Sequence, residues 1–279
     1  MTFDGNEVVP PGDVTPAGAA AYRVFTPYLR AWEQAERRPL LSAPRAITPV
    51  GEAPRGRLPA RPRVATKLPA GGESPGRAVL RRFLRRGVAR YADARNDLAA
   101  DATSHLSPYL RFGCVSPLEV ERLAAEHEGA GPFRRELAWR DFFRQLVAAD
   151  PTLTTRDLRP HRSGAGAHDP AAFEAWRDGR TGEPLVDAAM RQLASEGWLP
   201  NRARLIVASY LTRTLGVDWR LGAAHFDRVL VDGDPSSNAG NWQWVAGTGA
   251  NPRRGVALNM QRQAAGFDPD GSYRAAHRP

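Results

Sequence analysis

The sequence predicts an all-α fold for the chain beyond about residue 75. Apolar residues there recur at three- and four-residue spacing, the pattern of one buried helix face. No segment in this part alternates apolar and polar residues over the length of a strand. Residues that favour helix starts precede several of the periodic segments, so the pattern indicates where helices begin as well as which face is buried.

Residues 1–75 have a different composition from the rest of the chain. Proline and glycine are dense there, and repeated prolines interrupt helix interiors and strand ladders alike. One short helix is expected within "YRVFTPYLRAWEQAE". We therefore predict an interdomain linker remnant over residues 1–75 and a helical domain over residues 76–279.

The helical domain contains at least five periodic segments. The first, "SPGRAVLRRFLRRGVARYADARNDL", has an apolar face formed by Leu80, Phe83, Leu84, Val88 and Tyr91, with arginines opposite. The second, "SPLEVERLAAE", opens with Ser116, Pro117 and Glu119, which are an N-cap, a first-turn proline and a capping-box acid. The others are "FRRELAWRDFFRQLV", "EPLVDAAMRQLASEG" and "NRARLIVASYLTRTLG".

Composition is compatible with a nucleic-acid partner, and it indicates a reducing compartment. The 279 residues carry a net charge of +9, with a pI of about 10.6, and such a field attracts polyanions. The competing interpretation is a GC-rich genome, because Lys67 is the sole lysine among 39 basic residues. Cys114 is the sole cysteine, which excludes a disulfide framework within the chain.

Several classes of protein find no support in the sequence. The start lacks the pattern of a secretory signal, and no stretch approaches the 18 or so apolar residues of a membrane span, so we expect a cytoplasmic protein. The six histidines show no metal-ligand spacing, and no metal site is expected. Dinucleotide-fold, P-loop and α/β-hydrolase glycine motifs are missing.

Four short motifs are candidates for a binding site, and the first three also have a purely structural alternative. "TSHLSP" could seat a phosphate or simply start a helix capped by Ser107. "RRELAWRDFF" could line a site or form an ion pair beside core aromatics. In "GWLPNRAR", Asn201 could be a helix cap. Two arginines at a helix start, Arg202 and Arg204, indicate a nearby anion or buried carboxylate, and Asp232 or Asp234 would serve. "VDGDPSSNAGNWQW" is too polar for core, and its indoles could flank a flat ring.

Taken together, these motifs resemble the photolyase/cryptochrome family. The resemblance is carried in order by "TSHLSPYLRFGCVSP", "ELAWRDFF", "DGRTGEPLVDAAMRQLASEGWLPNRARLIVASYLT", "VDWR" and "VDGDPSSNAGNWQWVAGTG". It implies the family's helical domain, which binds FAD in a bent form. It also implies light-driven repair of cyclobutane pyrimidine dimers in DNA, the cofactor supplying the electron.

The resemblance assigns expected roles to individual residues. The expected cofactor-binding residues are Tyr91, Thr103, Ser104, His105, Leu106, Ser107, Phe133, Arg140, Arg204, Asp232, Gly233, Asp234 and Asn238. The expected lesion- and DNA-binding residues are Arg95, Glu136, Trp139, Asn201, Arg202, Trp244 and Gln263. Glu136 and Asn238 are the expected catalytic residues, with Trp242 and Trp219 as inner and middle members of an electron path to the flavin. An amide at Asn238 favours a photolyase, because plant-type cryptochromes carry aspartate there.

The sequence also departs from the family pattern. Gly166 stands where an outer tryptophan is usual, so reduction by that path requires a substitute such as Trp176 or a tyrosine. The resemblance also leads us to expect that the family's α/β antenna domain is absent and that the C-terminus is shortened. We therefore predict a monomeric FAD-binding, DNA-repairing lyase domain. The two rivals are a cryptochrome-like light sensor without repair and an inactive DNA-binding fragment.

Overall fold

The structure, a computed structural model, describes residues 5–48, 51, 56–57, 60, 68–160, 169–250 and 257–279. Helices form all of its regular structure in these ranges, which confirms the all-α prediction. The α-helices are α1 (Phe25–Gln34), α2 (Glu73–Arg86), α3 (Tyr91–Ala94), α4 (Ser107–Arg111), α5 (Pro117–Ala125), α6 (Gly131–Ala149), α7 (Pro170–Arg177), α8 (Pro184–Glu196), α9 (Asn201–Ser209), α10 (Trp219–Val229), α11 (Pro235–Ala246), α12 (Met260–Phe267) and α13 (Ser272–Ala276).

Of three helix caps considered from the sequence, one is formed and two are not. Ser116 caps α5 by accepting a hydrogen bond from the Glu119 amide, as its motif predicts. The expected Ser107 cap is not formed, because α4 already includes Ser107 and follows Leu106. Asn201 likewise lies inside α9 and makes no cap bond, since Pro200 precedes the helix. The capping alternative for Asn201 is therefore not observed.

Two apolar clusters form the core. The first packs α2, α5 and α6 together, and it includes the predicted apolar face of α2. The second packs α7 to α11 with Tyr273 of α13. Helix α11 contacts both, because Gly240 lies against the Phe143 ring of the first cluster while Trp242 is buried in the second.

The N-terminal segment packs into the first cluster. Val8, Val9, Phe25, Tyr28 and Trp32 are each at most 3% exposed. Asp141 of α6 holds this segment by accepting hydrogen bonds at Oδ2 from the Val8 and Val9 amides, both 3.0 Å, and from Trp32 Nε1 at 2.9 Å. Proline-rich composition therefore coexists here with tertiary packing against α6.

Candidate functional site

The acidic turn before α11 makes two ion pairs with arginines from other helices. Asp232 is buried, and its Oδ2 accepts from Arg204 Nη2 at 2.7 Å, which is the carboxylate partner that the start of α9 indicated. Asp234 caps α11 through Oδ1, which accepts from the Ser237 amide at 2.9 Å. Its Oδ2 accepts from Arg144 Nη2 at 2.6 Å. Both acids are thus fixed before any ligand binds.

The loop 103–107 has an unusual backbone and an unsatisfied hydroxyl. His105 adopts φ +52°, a left-handed conformation that is uncommon outside glycine and concentrates at functional sites. Its ring stacks on Trp198 at 4.3 Å, and Trp198 Nε1 donates to Ser107 Oγ at 3.4 Å. Ser104 Oγ accepts from the Leu106 amide, whereas Thr103 Oγ1 is buried without a partner.

The acidic turn and the loop 103–107 lie at the same place in the fold. Arg111, at the end of α4, donates from Nε to the carbonyl oxygen of Gly233. Trp198 joins the loop to the segment that leads into α9, where Arg204 Nε donates to the Leu199 carbonyl. Three segments distant in sequence therefore converge around one polar region.

Two hydrogen bonds fix the orientation of the Asn238 side-chain amide. Its Nδ2 donates to the Ala223 carbonyl at 2.9 Å and to Asp227 Oδ1 at 2.7 Å. Both bonds use the nitrogen, which leaves Oδ1 as the free acceptor of this amide. Burial raises the pKa of Asp227, the acid that fixes this orientation.

Of three further residues expected to bind the cofactor, Tyr91 and Phe133 lie in the first cluster, whereas Arg140 contacts the N-terminal segment. Tyr91 and Phe133 are buried and meet edge to face at 5.6 Å. Burial raises the pKa of Tyr91, so its hydroxyl stays protonated near neutral pH. The Arg140 guanidinium binds the backbone oxygen and the side chain of Asn6, so its present contacts go to the N-terminal segment.

Four of the expected lesion-binding residues form two contacting pairs, Glu136 with Arg95 and Trp139 with Trp244. Glu136 is in hydrogen-bond contact with Arg95 Nη1, and each side chain is about one-third exposed. Burial raises the pKa of Glu136 despite that arginine. The Trp139 and Trp244 rings meet edge to face at 5.1 Å, while Phe25 stacks on Trp139 at 3.6 Å.

The remaining DNA-contact candidates are less constrained by protein partners. Asn201 is exposed. Arg202 binds Asn96 Oδ1 and stacks over Phe267 at 4.3 Å, without a carboxylate partner among the described residues. Burial and the neighbouring Arg95 lower its pKa. Gln263, on α12, has a buried Oε1 that lacks a hydrogen-bond partner.

The tryptophans of the expected electron path are buried in the second cluster. Trp242 is 2% exposed, and Gly222 of α10 lies directly against its ring. Trp219, one helical turn before Gly222, donates from Nε1 to Asp157 Oδ1 at 2.8 Å. Trp176 also neighbours Trp242, with ring centroids 6.0 Å apart, and is fully buried. Gly166 lies outside the described residues.

Three polar residues that hold the site together were not singled out in the sequence. Arg144 bridges Asp234 and Glu7, Asp141 binds the N-terminal segment, and Gln243 fastens α11 to residues 153–158 through both ends of its amide. Arg144 had a detectable signal, because Glu136, Arg140 and Arg144 recur every four residues along α6.

Comparisons with known proteins agree with this architecture. Residues 133–279 match the family model described as the FAD binding domain of DNA photolyase. The chain belongs to the DNA photolyase family. A curated photolyase family member, the deoxyribodipyrimidine photo-lyase of Streptomyces griseus, is 47% identical over 269 residues, which cover 94% of this chain and 59% of that protein.

Two solved structures extend the photolyase likeness to nearly the whole chain. A class III photolyase from Agrobacterium tumefaciens matches with a TM-score of 0.83 and 33% identity, over 98% of this chain and 61% of the other. A cryptochrome from Synechocystis matches with a TM-score of 0.81 and 30% identity, over 98% of this chain and 61% of the cryptochrome. The chain thus spans about 60% of the length of these photolyase relatives.

FAD is the cofactor of this photolyase family, and the residues present fit it. Two buried oxygens in the polar region, Thr103 Oγ1 and Asp232 Oδ1, have no hydrogen-bond partner. Buried polar atoms are rarely left unpaired, so each is suited to a hydroxyl or ring N–H of a ligand. No group of three or more potential metal ligands occurs in the described ranges. None of the helices described is long and apolar enough to cross a membrane.

Proposed function

We propose that this chain is the FAD-binding helical part of an enzyme that repairs cyclobutane pyrimidine dimers in DNA with light. One observation carries the proposal: the acidic turn, the loop 103–107 and the start of α9 converge on a polar region that has two unpaired buried oxygens. The expected lesion-binding residues form the contacting pairs Glu136–Arg95 and Trp139–Trp244. Relatives that share most of this chain's length are named deoxyribodipyrimidine photo-lyase, which supports the same reaction.

The cofactor would be held by the converging polar segments. Asp232, Thr103 and Ser104 would accept from or donate to its hydroxyl groups, and the loop 103–107 would face its phosphates. Asn238 would present an acceptor oxygen, because its nitrogen is already bound to Ala223 and Asp227. Such an acceptor suits a protonated ring nitrogen and so favours the reduced or radical flavin. Bound FAD supplies the electron that splits the dimer.

The damaged bases would be held by hydrogen bonds and by stacking. Glu136 can bond pyrimidine edges, and its raised pKa means that it gives up its proton less readily than an exposed carboxyl. Trp244 and the face of Trp139 that is not stacked on Phe25 would supply flat apolar surfaces, and stacking on an aromatic ring contributes about 1–3 kcal/mol per base. Asn201, Arg202 and Gln263 would contact the same strand, together with Arg95.

Reduction of the flavin would begin at Trp242. Trp219 lies one turn from the glycine that packs on Trp242, and Trp176 has its ring at 6.0 Å from it. We propose Trp219 as the middle member of the electron path and Trp176 as a substitute for the outer member, because Gly166 has no side chain that could carry an electron. We also include a monomeric, cytoplasmic protein in the proposal, consistent with the single thiol, Cys114.

The absorption spectrum of the purified protein is the first test. We expect bound flavin. We also expect that blue light splits the dimer in an oligonucleotide that contains one, so that two separate thymines are recovered. Folded protein without flavin would refute the proposal, because the reaction depends on that cofactor. Samples of the same protein kept in the dark serve as the control.

A light sensor that binds FAD but repairs nothing is the second candidate, favoured by the likeness to the Synechocystis cryptochrome. It predicts flavin without dimer repair. A flavin-free DNA-binding fragment predicts a colourless protein whose DNA affinity falls with salt and ignores ultraviolet damage. Spectrum and repair assay together separate all three.

A further inference from the structure

Residues 6–9, here called the N-terminal clasp, lie along α6 next to the acidic turn. Three neighbouring residues of α6 bind the clasp. Arg140 binds Asn6, Asp141 accepts from the amides of Val8 and Val9, and Arg144 Nη1 donates to Glu7 Oε1 at 2.6 Å. Arg38 adds a bond from Nη2 to the Glu7 carbonyl at 2.8 Å. The Glu7 carboxylate is therefore held at a defined place.

Arg144 connects the clasp to the acidic turn. Its two terminal nitrogens bind different carboxylates, Nη1 to Glu7 and Nη2 to Asp234, each at 2.6 Å. All three side chains are 15% exposed or less, so water screens these charges weakly. A planar guanidinium that bridges two fixed oxygens has little rotational freedom left.

Asp234 in turn fixes the start of α11. One of its oxygens caps the helix at Ser237, and the other receives Arg144. Burial alone would raise the pKa of Asp234, but Arg144, the Ser237 amide and Arg140 together lower it, so the carboxylate stays ionised. Helix α11 carries Asn238, Trp242 and Trp244, three of the residues in the proposed function.

We infer that Glu7 is a positioning residue for the cofactor site: through Arg144 it sets the placement of Asp234 and of the first turn of α11. The inference rests on the proposed function for its link to FAD. The effect of Glu7 on the flavin would pass through the Arg144 guanidinium to Asp234, which lies more than 200 positions away in the sequence.

Hydrogen exchange of the flavin-free protein tests the inference without relying on activity. The variant is Glu7→Gln, which keeps the size of the side chain and removes its charge. We expect amide exchange in a peptide covering residues 234–242 to accelerate several-fold, while peptides from α8 stay unchanged. Glu33→Gln is the matched control, because Glu33 lies in the same part of the chain but is exposed.

FAD titration gives the second measurement. Hydrogen bonds to charged groups are among the stronger ones, so Glu7→Gln should weaken FAD binding roughly five- to tenfold. In an Arg144→Gln background the same change should add nothing, because the connection is already broken. Arg144→Lys, which reaches only one carboxylate, provides a milder variant and should reproduce the exchange pattern in part.

The outcomes separate the inference from the function on which it rests. Unchanged exchange over residues 234–242 in Glu7→Gln, or an effect that persists in the Arg144→Gln background, overturns the positioning role. Altered exchange in a protein that binds no FAD in any variant would support the connection and refute the proposed function instead.

Discussion

At the scale of single residues, the orientation of Asn238 has a direct chemical consequence. Both of its described bonds use Nδ2, and the partners are a backbone carbonyl and a carboxylate, which accept only. The amide therefore cannot flip without placing its oxygen against two other oxygens. A ligand at this position meets an acceptor, and that preference is built in before the ligand arrives.

Asn238→Asp should preserve FAD binding and make the reduced flavin harder to maintain. The new carboxylate would lose the donor and would lie beside Asp227, whose pKa is already raised by burial. We expect the flavin reduction midpoint to fall by about 60 mV, a tenfold change for one electron. Spectroelectrochemical titration measures it. Asn241→Asp, on the same helix, is the control, and an equal shift there would contradict the role of Asn238.

Glu136→Ala should abolish most repair while leaving FAD bound. Glu136 contacts Arg95 rather than the residues proposed for the cofactor. Loss of a hydrogen bond to a charged group should slow repair about 10- to 100-fold. Dimer repair and flavin content are measured on the same sample. Glu126→Ala, an exposed acid at the end of α5, should change neither, and joint loss of flavin and repair would indicate a structural residue.

At the scale of elements, the close packing of α10 against α11 requires a glycine at position 222. A Cβ on Gly222 would lie 2.2 Å from Trp242 Cη2 and 2.7 Å from Leu211 Cδ2, far inside contact distance. Because the neighbours are buried rings and branched chains, the two helices would have to separate. The position of Trp242 is therefore set by the absence of a side chain on the facing helix.

Gly222→Ala should destabilise the fold and slow flavin photoreduction. Overpacking of a core costs about 1–3 kcal/mol, and displacement of Trp242 lengthens the first electron step. Thermal unfolding and the rate of flavin bleaching under blue light measure the two effects. Gly266→Ala on α12 is the matched control, because nothing lies within 4 Å of its Cβ, and it should stabilise slightly.

The helices of the domain could be predicted because their signals are local. The apolar face of α2 and the Ser116 cap of α5 depend on residues within one or two turns. The packing of Val8 and Trp32 could not, because their burial depends on Asp141, more than 100 residues away. Ser107 and Asn201 show the limit of cap signals, since each is the first residue of its helix and the residue before it takes the cap position.

The site was partly predictable for the same reason. The partner of Arg204 could be narrowed to Asp232 or Asp234, because two arginines at a helix start require an anion. The bridge made by Arg144 could not be placed, since its partners lie 137 and 90 positions away in sequence. Contacts between residues so far apart in sequence depend on the tertiary fold and leave no local pattern.

At the scale of the whole molecule, stability should depend on pH through Asp141. This side chain is 1% exposed, and burial raises its pKa from 3.8 to about 6 despite the bonds from Trp32 and Val9. Between those values the folded state keeps a proton that the unfolded chain has lost. The free energy of unfolding therefore decreases as the pH rises from about 4 to about 6.

Asp141→Asn should flatten this pH dependence. An amide does not titrate, and its oxygen can still accept from the Val8 and Val9 amides. The wild-type protein should lose up to about 3 kcal/mol more than the variant over that range, because a tenfold change in a proton-binding constant corresponds to about 1.4 kcal/mol. Denaturant unfolding at several pH values measures the difference. Asp93→Asn, an exposed acid on α3, should follow the wild type.

The N-terminal clasp is synthesised well before α6, the helix against which it packs. Asn6 and Arg140 are 134 residues apart, so at ~5–20 residues per second the ribosome adds α6 roughly 7–27 s after it has added the clasp. Throughout that interval the nascent chain carries Phe25 and Trp32 with no surface on which to bury them. Chaperones that shield aromatic segments would be most useful to this protein during synthesis, before α6 has been translated.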